Sequence, residues 1–127
     1  MYIAIDGDSV GTRLQQLILE EKLDELKYFS DSIKDTLFRF TQILENHGSV
    51  VYMSGGDNIF AECSRECAQI VAEYVYRENE KNWICYSLAI GESTQDTYIG
   101  LNYAKSSKIH YIEVIREGKE IIFSQVL

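Results

Sequence analysis

Two short acidic motifs carry the residues able to do chemistry. The first is "DGDSVG", residues 6–11, at the end of the apolar stretch "YIAID". The second is "SGGDN", residues 54–58, between the apolar runs "SVVYMS" and "NIFAEC". Carboxylates at the ends of buried strands repel one another unless a cation lies between them. Oxygen-only donors favour Mg²⁺ or Mn²⁺, which takes one or two protein carboxylates and completes its shell with water and substrate phosphates. Asp6 and Asp57 are the primary candidates. Asp8 is a third: it shares a face with Asp6 if the strand runs on, and leaves the sheet if "DGDSVG" turns. In the second case Gly7, Asp8, Ser9, Val10 and Gly11 form a loop whose backbone N–H groups lead into a helix start, a natural phosphate cradle.

Those acids matter only if the fold brings them together. "YIAID" alternates as a strand does. Thr12 and Gln15 have capping-box spacing for a helix carrying Leu14, Leu17 and Ile18. A second helix is expected over about 31–47, with Phe29, Ile33, Leu37, Phe40 and Leu44 as a single stripe and Gly48 as its stop. Gly55 and Gly56 suit a two-residue hairpin turn in which both accept positive φ. Ser64 caps a helix carrying Cys67, Val71 and Val75. "WICYSLAIG" reads as a buried central strand, Ser93 or Thr94 opens a helix through Lys105, and "HYIEVI" and "EIIFSQ" form a terminal hairpin with Gly118 in its turn. The order β-α-α-β-β-α-β-α-β-β contains the β-α-β-β-α-β pattern of ferredoxin-like folds. An α+β fold follows: an antiparallel sheet packed by helices, with an extra C-terminal hairpin. That topology places the end of the first strand beside the hairpin, and so Asp6 beside Asp57.

Composition narrows the function classes. The 127 residues, 46% hydrophobic, suit one domain spanning 1–127 with a real core. A formal charge of −8 repels polyanions, so stable nucleic-acid binding is not expected, although a local basic patch can hold a nucleotide. No apolar run is long enough for a membrane span, and no leader-like N-terminus is visible, so a cytoplasmic location is expected. Cys63, Cys67 and Cys85 have no histidine pair at zinc-ligand spacing and read as buried free thiols in a reducing compartment. His47 and His110 fall at element ends and read as structural.

Taken together, "DGDSVG", "SGGDN", "SLAIGES" and "NYAKSSK" resemble the palm-type nucleotidyl cyclases: GGDEF diguanylate cyclases, class III adenylyl cyclases and the palm of the large subunit of type III CRISPR complexes. The free-standing small version, the minimal CRISPR polymerase (mCpol) family, is the nearest in pattern, over nearly the whole chain. The resemblance implies that Asp6 and Asp57 hold two divalent metals per site, Mg²⁺ or Mn²⁺. It implies that Lys105 contacts a triphosphate, with Lys108 as a second such contact. One position departs: after Gly-Gly-Asp the CRISPR-type palms usually carry another Asp and diguanylate cyclases a Glu, where this chain has Asn58. An amide keeps an oxygen but loses a charge.

The implied reaction is attack of one nucleotide's 2′- or 3′-hydroxyl on another's α-phosphate, releasing pyrophosphate. ATP is the expected substrate and a cyclic di- or oligonucleotide the expected product, read by a separate effector protein in antiviral defence. A palm of this size has room for one triphosphate site, and closing a ring needs two attacks, so a face-to-face homodimer is expected. Two alternatives remain open: a palm-fold nucleotide hydrolase of the GTP cyclohydrolase III kind, and a degenerate nucleotide-binding sensor, which Asn58 favours.

Overall fold

The computed structural model describes residues 1–81 and 84–127. Its elements run β1 (Tyr2–Gly7), α1 (Val10–Leu19), α2 (Leu23–Asn46), β2 (Val50–Gly55), β3 (Asn58–Glu62), α3 (Arg65–Lys81), β4 (Tyr86–Gly91), α4 (Thr94–Ser107), β5 (Tyr111–Glu117) and β6 (Glu120–Gln125). The six strands form one sheet in the order β2-β3-β1-β4-β5-β6. The first four strands have the ferredoxin-like order, with β1 central and antiparallel to both β3 and β4. The C-terminal hairpin extends this sheet. Because α4 carries the chain back across the sheet, β5 joins β4 in parallel and makes the sheet mixed.

Strand alternation divides the core into two layers. Ile3, Ile5, Ile59, Leu88 and Ile90 point to one face, where they meet the stripe Phe29, Ile33, Leu37, Phe40 and Leu44 of α2 and Val71 and Val75 of α3. Ala4 and Ala89 point to the other face and meet Leu101 of α4. That second layer is thin because its side chains are small. A Cβ on Gly100 would stand 2.6 Å from Val114 Cγ2 and 3.2 Å from Ala89 Cβ, so α4 lies nearly on the strands. The Ser93 hydroxyl accepts the Asp96 N–H and caps α4. Arg116 on β5 grips the Asp96 carboxylate through Nε and Nη2 and holds it below the usual carboxylate range.

Several expected boundaries move. α1 starts at Val10, ahead of the Thr12–Gln15 box; its N-cap is Ser9 at φ 58°, with no side-chain cap bond. α2 starts at Leu23 rather than near Asp31, because Lys22 opens it without a capping side chain and leaves no sequence signal. Ser64 caps α3 as expected, accepting the Cys67 N–H. The expected strand start at Trp83 lies outside the described residues, and β4 begins at Tyr86. In the hairpin, Gly55 pairs with Asn58, so the turn residues are Gly56 and Asp57. Gly56 (φ 61°) is the one hairpin glycine in the left-handed region, where two were expected. Among the described residues no helix is long and apolar enough to cross a membrane.

Candidate active site

β1 sits between β3 and β4, so whatever ends β1 is flanked by whatever begins those two strands. Asp6 pairs across to Asn58 on one side and Ser87 on the other. Directly opposed residues share a face, so Asp6, Asn58 and Ser87 point toward α4. The last turn of α4 places Lys105 above them, and its Nζ donates to Asp6 Oδ2 at 2.6 Å. Burial lowers the proton affinity of this ammonium, but its bond to Asp6 and the charges of Asp6, Asp8 and Asp57 outweigh that, and its pKa rises.

Asp57 arrives from the hairpin tip. Its carbonyl accepts the Gly7 N–H at 2.9 Å, which fastens the tip to the end of β1. A Cβ at Gly7 would stand 2.6 Å from Val10 Cγ2, so no side chain fits between the end of β1 and the start of α1. Burial first, and then the charge and hydrogen bond of Asp6, raise the Asp57 carboxyl above its usual value of 3.8. A carboxylate pair held this way has its repulsion partly offset by Lys105 and is suited to a divalent cation. The oxygen donors fit Mg²⁺ or Mn²⁺, with Asp6 and Asp57 as the residues to hold it.

Asp8 takes a different course. The chain turns out of the sheet after Gly7, and Asp8 accepts the Ser87 hydroxyl on both oxygens, at 3.0 and 3.1 Å. His110 Nδ1 lies 3.5 Å from Asp8 Oδ2. Burial raises the Asp8 carboxyl, against lowering by Ser87 and His110. Two of the amides expected in the phosphate cradle are taken: Gly7 N–H by Asp57 and Asp8 N–H by the Cys85 carbonyl at 2.8 Å. The amides left for an anion are those opening α1, around Ser9, Val10 and Gly11, which have no intrahelical acceptor.

A groove of about 240 Å³ opens beside Asp57. Val10, Gly11 and Leu14 of α1, Ser30, Ile33 and Lys34 of α2, and Gly56 line it. Gly55 lines an adjoining groove that again includes Lys34. Asn58 stands across from Asp6, half-buried, where a third acid would crowd it. Lys108 ends α4 as its exposed C-cap at φ 61°, and no contact with the three acids is recorded for it among the described residues. Tyr86, buried beneath the acids, is no candidate base, since burial pushes its hydroxyl up to about 12.

Sequence reasoning missed Lys34, Ser87, Cys85 and His110. Lys34 falls between two residues of the apolar stripe and looked like any solvated helix lysine. Ser87 was visible as a polar residue inside an apolar run. Cys85 and His110 were read as inert, and only the fold shows that they face Asp8. Cys63 and Cys67 are buried as expected, and burial pushes the Cys63 thiol up to about 11.

The chain was compared with known proteins. No curated protein matches it. The family model for the minimal CRISPR polymerase domain matches residues 2–115. That span takes in β1, the hairpin, β4 and α4, and therefore every residue placed above at the acidic end of the sheet. The chain belongs to the minimal CRISPR polymerase (mCpol) family.

Proposed function

We propose that this protein is a metal-dependent nucleotidyl cyclase that joins NTPs, ATP in the first instance, into a cyclic di- or oligonucleotide with release of pyrophosphate. The observation that carries the proposal is the meeting of Asp6, Asp57 and Lys105 at one end of the sheet, with Lys105 Nζ 2.6 Å from Asp6 and Asp57 raised by burial and by Asp6. The family resemblance supports a signalling role in which the product is read by a separate effector during antiviral defence.

The chain's own residues divide the work. Asp6 and Asp57 hold the divalent metals, which when bound lower the pKa of the attacking hydroxyl and offset charge on the departing pyrophosphate. Lys105 swings from Asp6 to the triphosphate and acts as a point charge. The opening amides of α1 receive phosphate oxygens. The groove between α1, α2 and Gly56 seats the base or ribose and fixes the line of attack, with Lys34 as a second cation at its wall. No side chain is assigned as general base. A second reading, a nucleotide-binding sensor on the same fold, is favoured by one observation, Asn58 where an acid is usual; the hydrolase alternative rests on the shared fold alone.

Incubation with each of the four NTPs and Mg²⁺ or Mn²⁺, with products resolved by mass, tests the proposal. A cyclic product with pyrophosphate is expected. A ring-opened base, or binding without turnover, would overturn it in favour of the hydrolase or the sensor respectively.

A further inference from the structure

A second constellation lies next to the carboxylate pair and shares none of its ligands. The turn after β1 brings Asp8, the residue before β4 is Cys85, and the residue before β5 is His110. Their backbones are pinned: Asp8 N–H donates to the Cys85 carbonyl at 2.8 Å, and Leu88 N–H to the His110 carbonyl at 2.7 Å. Their side chains converge, with one ligand atom from each within 4.8 Å of the others. Through its Nδ1, His110 is 3.5 Å from Asp8 Oδ2 and 3.6 Å from Cys85 Sγ.

The two spacings through Nδ1 are those of ligands on one tetrahedral ion, and the third pair lies within 4.8 Å. Zn²⁺ sits about 2.3 Å from sulfur and about 2.0–2.2 Å from nitrogen or oxygen in a tetrahedron. Ligand atoms on such a tetrahedron are about 3.3–3.6 Å apart by the same geometry. The donor set of one thiolate, one imidazole and one carboxylate is too soft for Mg²⁺ and suits Zn²⁺ or its neighbours. Ser87 supplies an orienting partner, its hydroxyl holding both Asp8 oxygens. All three residues are only half-buried, so solvent can supply a fourth ligand.

We propose that Asp8, Cys85 and His110 form a transition-metal site of the Zn²⁺ class, distinct from the Asp6–Asp57 pair, with its fourth position left to an exchangeable solvent ligand. A metal there ties the β1–α1 turn to β4 and to the start of β5. It fixes the loop that presents the opening amides of α1 while leaving Asp6 and Asp57 to a second, harder metal.

The probe is Co²⁺ added to chelator-treated full chain. One tightly bound tetrahedral Co²⁺ per chain is expected, with a near-ultraviolet thiolate-to-cobalt band and displacement by Zn²⁺, apart from weaker octahedral Co²⁺ at Asp6 and Asp57. Cys85→Ser should abolish the thiolate band, His110→Ala should abolish tight binding, and Ser87→Ala should weaken it about 10- to 100-fold. Asp57→Ala should leave the spectrum unchanged, which separates this site from the cyclase reading. An octahedral spectrum without the thiolate band would overturn the proposal. So would a band that survives Cys85→Ser, since Cys63 or Cys67 would then be the ligand. If a variant does not fold, alkylation of the unaltered protein decides: Zn²⁺ should slow modification of Cys85 as mapped by mass, and equal rates with and without Zn²⁺ sink the idea.

Discussion

Lys105 follows Asp6 by 99 positions in the chain, yet its ammonium donates to the Asp6 carboxylate at 2.6 Å. It stands where a cation is wanted, so metal and lysine compete for Asp6. Lys105→Met should therefore bind Mg²⁺ or Mn²⁺ more tightly without nucleotide and bind NTP more weakly. Turnover should fall about 100- to 1,000-fold, the usual loss when one charge-stabilising donor is removed. Stability should change by less than about 1 kcal/mol, because the pair is partly exposed. Calorimetric titration of metal alone and of NTP gives both signs. Weaker metal binding in the variant would show that Lys105 supports the pair rather than competing with the metal.

Asp57 should be dispensable for folding and essential for activity. Its folded pKa is raised above 3.8 by burial and Asp6. Between those two values the folded chain keeps a proton that the unfolded chain has lost, so stability falls as pH rises through that window and stays lower above it. Asp57→Asn should remove this part of the slope and raise the melting temperature of the metal-free protein at neutral pH, with turnover reduced to background. Thermal melts across acidic and neutral pH check the sign. Asp8 shifts in the same direction and should leave a residual slope.

Asn58→Asp places a further charge directly across from Asp6. The expected cost without metal is about 0.2–1 kcal/mol, the scale of a cross-strand pair. With metal the cost should vanish and affinity for Mn²⁺ should rise, with activity kept or increased. Melting curves with and without Mn²⁺ read this directly. A folded variant with no activity would give the amide a role of its own.

On the proposed cyclase reading, ring closure by a one-site palm would call for two chains. The apparent mass should approach twice 14.6 kDa when NTP and metal are present, and fall toward the monomer without them, since bound nucleotide bridges the halves. Sedimentation at several protein concentrations, with and without a non-hydrolysable ATP analogue, measures it. A monomer that still makes a cyclic dinucleotide would rule out the face-to-face arrangement.

Most of this architecture was legible because its signals are periodic. The α2 stripe and the alternation of β1 and β3 each announce a buried face, and their order implies that Asp6 meets Asp57. What stayed hidden depends on geometry without a pattern. α2 begins at Leu23 because packing against α1 supports the extra turns, not because a side chain caps them. Asp8 pairs with Ser87 and His110 because a left-handed Ser9 follows it, and serine carries little propensity for that conformation. Cys85 and His110 become neighbours through the parallel pairing of β4 and β5, which neither residue signals.

The central place of β1 has a consequence for how the molecule comes into being. β1 is made before both of its partners and finds them late: Tyr2 pairs with Glu62 on one side and Gly91 on the other. Its backbone ladder must wait for both, and such distant pairings make assembly slow, since each closes a long loop before any contact rewards it. Lys105 comes later still. An emerging chain can therefore bring Asp6 beside the hairpin once β3 is made, but it completes the set with Lys105 only after α4 has docked. On the proposed nucleotide site, triphosphate affinity would therefore report completed folding, and a truncation that removes α4 should hold triphosphate more weakly and be less protected by it from proteolysis.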